Sequence, residues 1–293
     1  MEKKGLLSIF VAVFLFGASS LFVKLIPMSA FLITLGRALF SSILLYVFIH
    51  FKKHSLRLKY PRHYFWNLFA GILLACHWFF FTLSIQVSYI HIGTLSFATY
   101  PIFVLMLEPY VFKEKYQFKN FVSVILIAIG IAYLIPEFEI TNAVNLGILY
   151  GLISSFCYAV LTLINRRLAA SYDSVVISLY EQLVVTAFMT IVIVFFKPFM
   201  GMGDYIDFIE LIVYGVVFTA LAHSLYIYGL TYVKAQTAST IAVLEPIFSI
   251  FLAILIFNEK LLLSDVIASV LILLAVILST HNYKIINKRK KDA

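Results

Sequence analysis

YPIFVLMLEPYVFKEK, Tyr100 to Lys115, and EPIFSIFLAILIFNEK, Glu245 to Lys260, are the two stretches whose relation decides the fold. A gapless shift of 145 residues lays the first on the second: Pro101 falls on Pro246, Tyr100 on Glu245, and the pair Glu114-Lys115 on Glu259-Lys260. The two Leu-Glu-Pro tripeptides are a false lead. Pro109 stands eight residues beyond the position that matches Pro246, so the likeness around Glu108 and Glu245 is one of composition. The apolar segments after each Glu-Lys pair, 119–135 and 264–281, coincide under the same shift. The chain is therefore read as a duplicated half-unit.

The solvent of these halves follows from composition. Hydrophobic residues make up 63% of the 293, charged residues only 12%, and the mean hydropathy is +1.02, so there is too little polar surface to wrap water-soluble domains. A hydrocarbon layer about 30 Å thick takes roughly 20 apolar residues per helix, with backbone amides bonded inside the helix. Ten such runs occur, at 5–24, 30–50, 66–86, 91–112, 119–135, 146–165, 174–196, 209–230, 235–257 and 264–281; the polar turn TYVKAQT separates the eighth from the ninth. The first run follows Lys3 and Lys4 in the manner of a signal peptide, but its apolar character continues to Lys24 and nine further runs succeed it, so it is read as a retained helix.

Threaded from a cytoplasmic N-terminus, ten spans place eighteen of the 22 Lys and Arg on the inner side; Lys24, Lys197 and Lys260 fall outside, and Arg37 within a span. This asymmetry predicts both termini in the cytoplasm. It also assigns the basic pI of about 9.3 to topology and to anionic lipid at the cytoplasmic face, with no role for nucleic acid. Five helices per half is an odd number, so the second half enters the membrane from the opposite side. The expected fold is an all-α integral membrane protein, ten transmembrane helices as two inverted five-helix repeats, 1–140 and 141–284, followed by a basic cytoplasmic tail, 285–293. A substrate site between such halves, near the midplane, is opened to each side in turn as one half rocks against the other.

At this point the sequence resembles the EamA-type transporters of the drug/metabolite transporter superfamily over nearly its whole length. The resemblance rests on the five-plus-five layout, Arg37 in the second helix, Pro101 with Glu114 and Pro246 with Glu259, and Leu244-Glu245-Pro246 in the ninth helix. It departs from the common pattern in FLFGASS, Phe14 to Ser20, which lacks the Trp that often precedes this Gly. The resemblance implies carriage of amino acids, metabolites or drugs, inward or outward, without naming a substrate.

Ionisable side chains in lipid cost about 2.5 to 3.5 kcal/mol each on insertion scales, so those retained there face a cavity or a partner. Glu245 stands about halfway along the ninth helix, just before Pro246, whose ring removes a helical hydrogen bond; Pro101 breaks the fourth helix in the same way. A midplane carboxylate there suits proton exchange or a cationic amine, against the plainer reading of a protonated Glu bonded to a neighbouring helix. Arg37 suits a substrate carboxylate, or else a structural ion pair. The shift of 145 carries it onto Gln182, which with its neighbour Glu181 in the seventh helix is a further candidate for substrate binding or coupling. His77 and His223 are relay or ligand candidates, with packed core histidines as the alternative. Trp78, Tyr100, Tyr226 and Tyr228 lie around them; Trp78 and Tyr100 sit where a pocket wall on which a substrate stacks would be, and Tyr226 is a further site candidate. Glu108, near the helix end, is read as a structural partner for a nearby base. Gly147 and Gly151 permit close helix contact.

Other chemistries find little footing. There is no GxxxxGK[ST] loop and no HExxH, and neither Cys76 nor Cys157 has a companion at metal-ligand spacing. No cofactor, metal or disulfide is expected. An intramembrane serine protease would pair Gly17-Ala18-Ser19-Ser20 with His77, but that run lacks the second Gly of a GxSG motif and leaves the repeat without a reason. A non-transporting membrane protein is the other alternative. The reading reached is a secondary carrier of small organic solutes, proton-linked or facilitated, monomer or homodimer. Amino acids or related zwitterions lead as substrates because Arg37 and Glu245 match both charges. Nucleoside-like or drug-like compounds are second.

Overall fold

The structure is a computed structural model that describes residues 2–113, 118–134, 142–196, 201, 203–242 and 244–281. Glu114-Lys115, Lys197 and the basic tail lie outside those residues. The helices are α1 (Glu2–Leu25), α2 (Ala30–Lys52), α3 (Pro61–Val87), α4 (Ile90–Phe97), α5 (Tyr100–Phe112), α6 (Phe118–Leu134) and α7 (Ala143–Ala169). They continue as α8 (Ser174–Phe196), α9 (Tyr205–Gly215), α10 (Ala222–Leu230), α11 (Ala235–Ala242), α12 (Leu244–Phe257) and α13 (Leu263–His281).

Eight helical segments among the described residues are long and apolar enough to cross a bilayer, with α4–α5, α9–α10 and α11–α12 each counting as one span. Shorter apolar helices, Ile125–Leu134 in α6 and Leu263–Ala275 in α13, supply the fifth and tenth segments. The protein is thus a multi-pass, all-helical membrane protein. Large apolar side chains such as Phe51, Phe195 and Phe196 are more than three-quarters exposed on the bundle, as befits a surface that lipid covers. α3 and α7 outrun their hydrophobic runs by turns that carry Arg62 and His63 in the first and Asn145, Arg166 and Arg167 in the second. The turn between the eighth and ninth spans is shorter than TYVKAQT, because Ala235, Gln236 and Thr237 already belong to α11.

The repeat is written into the backbone. A shift of 145 carries α4 onto α11 from end to end, and carries Lys113 (φ 55°) onto Asn258 (φ 53°), each a left-handed residue just past its helix. The prolines do not mark the breaks themselves. In the first half the break falls just before, at Ala98-Thr99, and Pro101 and Pro246 occupy the first turns of α5 and α12, where a missing N–H leaves no helical acceptor unserved within the new helix. The Thr99 hydroxyl lies 2.8 Å from the Ser96 carbonyl and 2.9 Å from the Ser155 hydroxyl, which occupies polar groups loosened by the break.

Packing partners exchange between halves as a two-fold relation requires. α1 lies on α10 and α12, and its counterpart α7 lies on α3 and on α4–α5; α2 packs on α8, α6 on α13, and α4–α5 on α11–α12. Gly147 and Gly151 serve these contacts within the chain. A Cβ on Gly151 would come 2.5 Å from Ser96 Cβ and 3.4 Å from the Gly93 carbonyl, and one on Gly147 would come 2.7 Å from Ser88 Cβ. The pair seats α7 on α3 and α4, so it lends no support to a dimer.

Candidate functional site

Arg37 on α2, His77 and Trp78 on α3, His223 on α10 and Glu245 on α12 line one internal cavity, with Ser19 of α1 and Tyr158 of α7 completing its polar wall. Phe16, Phe81 and Phe97 supply the rest. Its volume is about 20 Å³, room for little more than a single water. The bundle is therefore closed around the site, and any organic solute requires an opening motion.

Arg37 is only 3% exposed and is held by neutral partners. Its Nε–H donates to Thr219 Oγ1 at 3.0 Å and Nη1 to the Tyr214 hydroxyl at 2.7 Å. The guanidinium lies 4.0 Å from the Trp78 ring centre and 4.2 Å from that of Tyr214, between two π faces. Among the described residues no carboxylate pairs with it within 4.0 Å, so the structural ion pair considered above is not what fixes it. Two of the five guanidinium donors are committed to Thr219 and Tyr214.

Thr219 reaches this position through a π-helical turn, Val216–Leu221, between α9 and α10. Its hydroxyl donates back to the Tyr214 carbonyl, five residues earlier, at 2.9 Å. Such turns frequently occur at functional sites. In an unbroken α-helix, residues five apart diverge by more than a quarter turn.

Glu245 is 5% exposed and forms no hydrogen bond or ion pair among the described residues. The alternative of a Glu satisfied by a neighbouring helix is thereby set aside: its open side is the cavity it shares with Arg37. Glycine explains how α1 comes so close. A Cβ on Gly17 would meet Phe248 Cβ at 2.7 Å and the Glu245 carbonyl at 3.1 Å, and Ser249 Oγ donates to the Gly17 carbonyl at 2.9 Å.

The histidines are oriented differently from one another. Ser154 Oγ donates to the His77 carbonyl at 3.1 Å and meets His77 Nδ1 at 2.7 Å. His223 Nε2 lies 2.6 Å from Glu181 Oε2, and its ring meets Trp78 edge-on at 6.1 Å. Ser19 and Ser20 donate to the carbonyls of Phe16 and Gly17, so the Ser–His couple imagined for a protease is not formed.

Several predicted residues stand behind the wall instead of on it. Glu181 buttresses His223, and neither Gln182 amide atom has a partner among the described residues. The Tyr100 and Tyr226 hydroxyls are 3.3 Å apart, and both rings rest on Tyr158, which faces the cavity in their place. Tyr228 is on the outside against Tyr232. Tyr158 was missed by sequence reading, although it stands four residues from Ser154 on the same face of α7. Glu108 pairs with Arg166, whose guanidinium covers the Phe112 ring at 4.0 Å.

A clamp joins the halves at the Glu259 end of the bundle, and sequence reading missed it. The Glu259 carboxylate accepts from the Ile90 backbone N–H at 3.0 Å and the His91 backbone N–H at 3.4 Å, and lies 2.9 Å from His91 Nδ1. It caps α4 of the other repeat. His91 Nε2 lies 3.5 Å from Asp265 Oδ2, and Lys24 Nζ donates to the Ser88 carbonyl at 3.0 Å. Burial alone would raise the Glu259 carboxyl, but the hydrogen bonds from His91 and Ile90 outweigh it and hold the group below its usual value of 4.5. Such a group contributes stability that is complete above 4.5 and lost as pH falls through the lower folded value. The wild-type melting temperature is expected to drop more steeply than that of Glu259→Gln as pH is taken below 4.5. Differential scanning of both proteins in one detergent checks this, and parallel curves would remove the clamp.

The inverted pair of broken-helix bundles, closed around an internal cavity lined by one buried cation and one buried carboxylate, has the build of a membrane carrier. The profile of the EamA-like transporter family matches residues 3–135 and again 145–281. The chain belongs to that family, a membrane transporter family. It is 24% identical over 219 residues to an uncharacterized transporter of Clostridium kluyveri, covering 72% of this chain and 70% of that one. To an uncharacterized transporter of Archaeoglobus fulgidus it is 26% identical over 197 residues, 67% and 69% of the two chains. A solved structure described only as a crystal structure of a protein superposes with a TM-score of 0.70 at 15% identity, over 95% of this chain and 96% of that one. This last likeness concerns the fold alone.

Proposed function

We propose that the protein is a secondary carrier of small zwitterions, amino acids foremost, that works by alternating access in the cytoplasmic membrane with both termini in the cytoplasm. One observation carries the reading: Arg37 and Glu245 face the same small cavity, the first with guanidinium donors unspent on Thr219 and Tyr214 and the second without a bond. A carboxylate on Arg37 and an ammonium on Glu245 would each replace water with a charged partner. Glu245 is also the group on which a proton could compete with the ammonium, which gives the carrier a means of proton coupling. The lysine and arginine asymmetry supports the orientation. It sets the Glu259 clamp on the outer side, so that the clamp would close the outer entrance.

The aromatic wall of Trp78, Phe81, Phe97 and Tyr158 favours a second reading, in which nucleoside-like or drug-like compounds stack in the opened site. Thermal-shift screening of the purified protein against amino acids, nucleosides and cationic drugs, followed by flux in proteoliposomes, separates the two. An amino acid is expected to raise the melting temperature and to move across the bilayer. Hits confined to planar aromatic compounds would transfer the proposal to the second class.

A further inference from the structure

A groove of about 380 Å³ runs along the flank of the bundle between α3, α5 and α7 and shares no lining residue with the internal cavity. Its walls are apolar, formed among others by Trp66, Phe69, Leu107, Phe156 and Val160, and both Phe69 and Phe156 are exposed on the flank. One end is cationic. Arg62, from the first turn of α3, and Arg167, from the last turn of α7, stand there, both exposed and without an ion pair among the described residues. This contrasts with neighbouring Arg166, which is committed to Glu108.

The dimensions fit one leaflet. From Phe156 to Arg167 the helix rises about 16 Å at 1.5 Å per residue, close to half of a hydrocarbon core about 30 Å thick. A slot of one leaflet's depth, apolar along its length and doubly basic at the headgroup level, matches a molecule with a long acyl chain and an anionic head. We propose that this groove is a binding site for an anionic phospholipid, its phosphate held by Arg62 and Arg167 and one acyl chain laid along Phe156 and Val160. The leaflet is the cytoplasmic one if the orientation argued above holds; the binding itself does not depend on transport. Arginine suits the head because its planar fork meets phosphate oxygens two at a time, and basic pockets between transmembrane helices are where such heads are read. The uncharged wall gives the chain a place that ordinary annular contact lacks.

The test uses the full chain in nanodiscs of equal parts phosphatidylglycerol and phosphatidylcholine, released into mild detergent, with retained lipids counted by native mass spectrometry. Preferential retention of phosphatidylglycerol is expected. Arg62→Gln and Arg167→Gln, both at exposed positions, should each reduce that preference about fivefold, the weight of one basic side chain at an anionic surface, while the melting temperature stays put. Val160→Trp, which fills the slot and leaves the head site intact, should also remove the retained lipid. Equal retention of both lipids by the wild type overturns the proposal. So does phosphatidylglycerol retention untouched by the double arginine variant or by Val160→Trp. Loss of solute flux with lipid retention intact would strike at the transport reading alone.

Discussion

Glu245→Gln is expected to yield a folded protein whose apparent affinity for an amine-bearing solute is roughly 10- to 150-fold weaker, the worth of one charge-assisted hydrogen bond at about 1.5–3 kcal/mol. Whatever pH dependence the wild-type flux has should flatten as well. The expectation follows from what the carboxylate lacks. It accepts no hydrogen bond among the described residues, so its replacement by an amide of the same shape leaves no partner stranded. Initial-rate uptake at several pH values, with melting temperature as the folding control, measures both effects. Wild-type flux with an unchanged pH profile would end the coupling role.

Arg37→Lys is the second variant with a large expected effect, because it keeps the charge and discards the fork. A lysine ammonium cannot serve Thr219 and Tyr214 while also presenting two parallel donors to a carboxylate, and it does not lie flat between the rings of Trp78 and Tyr214. Apparent affinity for carboxylate-bearing solutes is expected to fall by roughly tenfold or more, from the loss of at least one hydrogen bond to a charged group. Uptake of an amino acid and of its carboxamide analogue should be compared in wild type and variant, since only the carboxylate form engages the fork. Normal protein levels with unchanged affinity for both would return Arg37 to a purely structural part.

The sequence carried the half-unit repeat through to the backbone. The shift read from Pro101 and Pro246 also aligns the half-helices α4 and α11 and the left-handed residues Lys113 and Asn258. It carried the principal charges as well, because an ionisable side chain inside a hydrophobic run stands out at the level of single residues. Arg37, His77, Trp78, His223 and Glu245 all meet in the cavity. Tyr100 and Tyr226 were read as wall residues, yet Tyr158 stands in front of them, since one tyrosine among many gives no sign of the direction it faces. Arg37's holders, Tyr214 and Thr219, are five residues apart and come together through the π-helical turn. The Glu-Lys ending repeated in both halves gives no sign along the sequence of what it does; Glu259 caps α4, 169 residues away in the chain.

What the sequence alone determined is therefore what can be written along a line: the length and polarity of each span, the odd number of spans per half, the inverted repeat, and which residues are too costly to leave in lipid without use. Only the tertiary structure decided which of those residues meet. Hydropathy fixes how deep a side chain lies, but its direction depends on the rotation of the helix about its own axis. That rotation is set by close contacts at Gly17, Gly147 and Gly151, and by a π turn that re-aims half of a span.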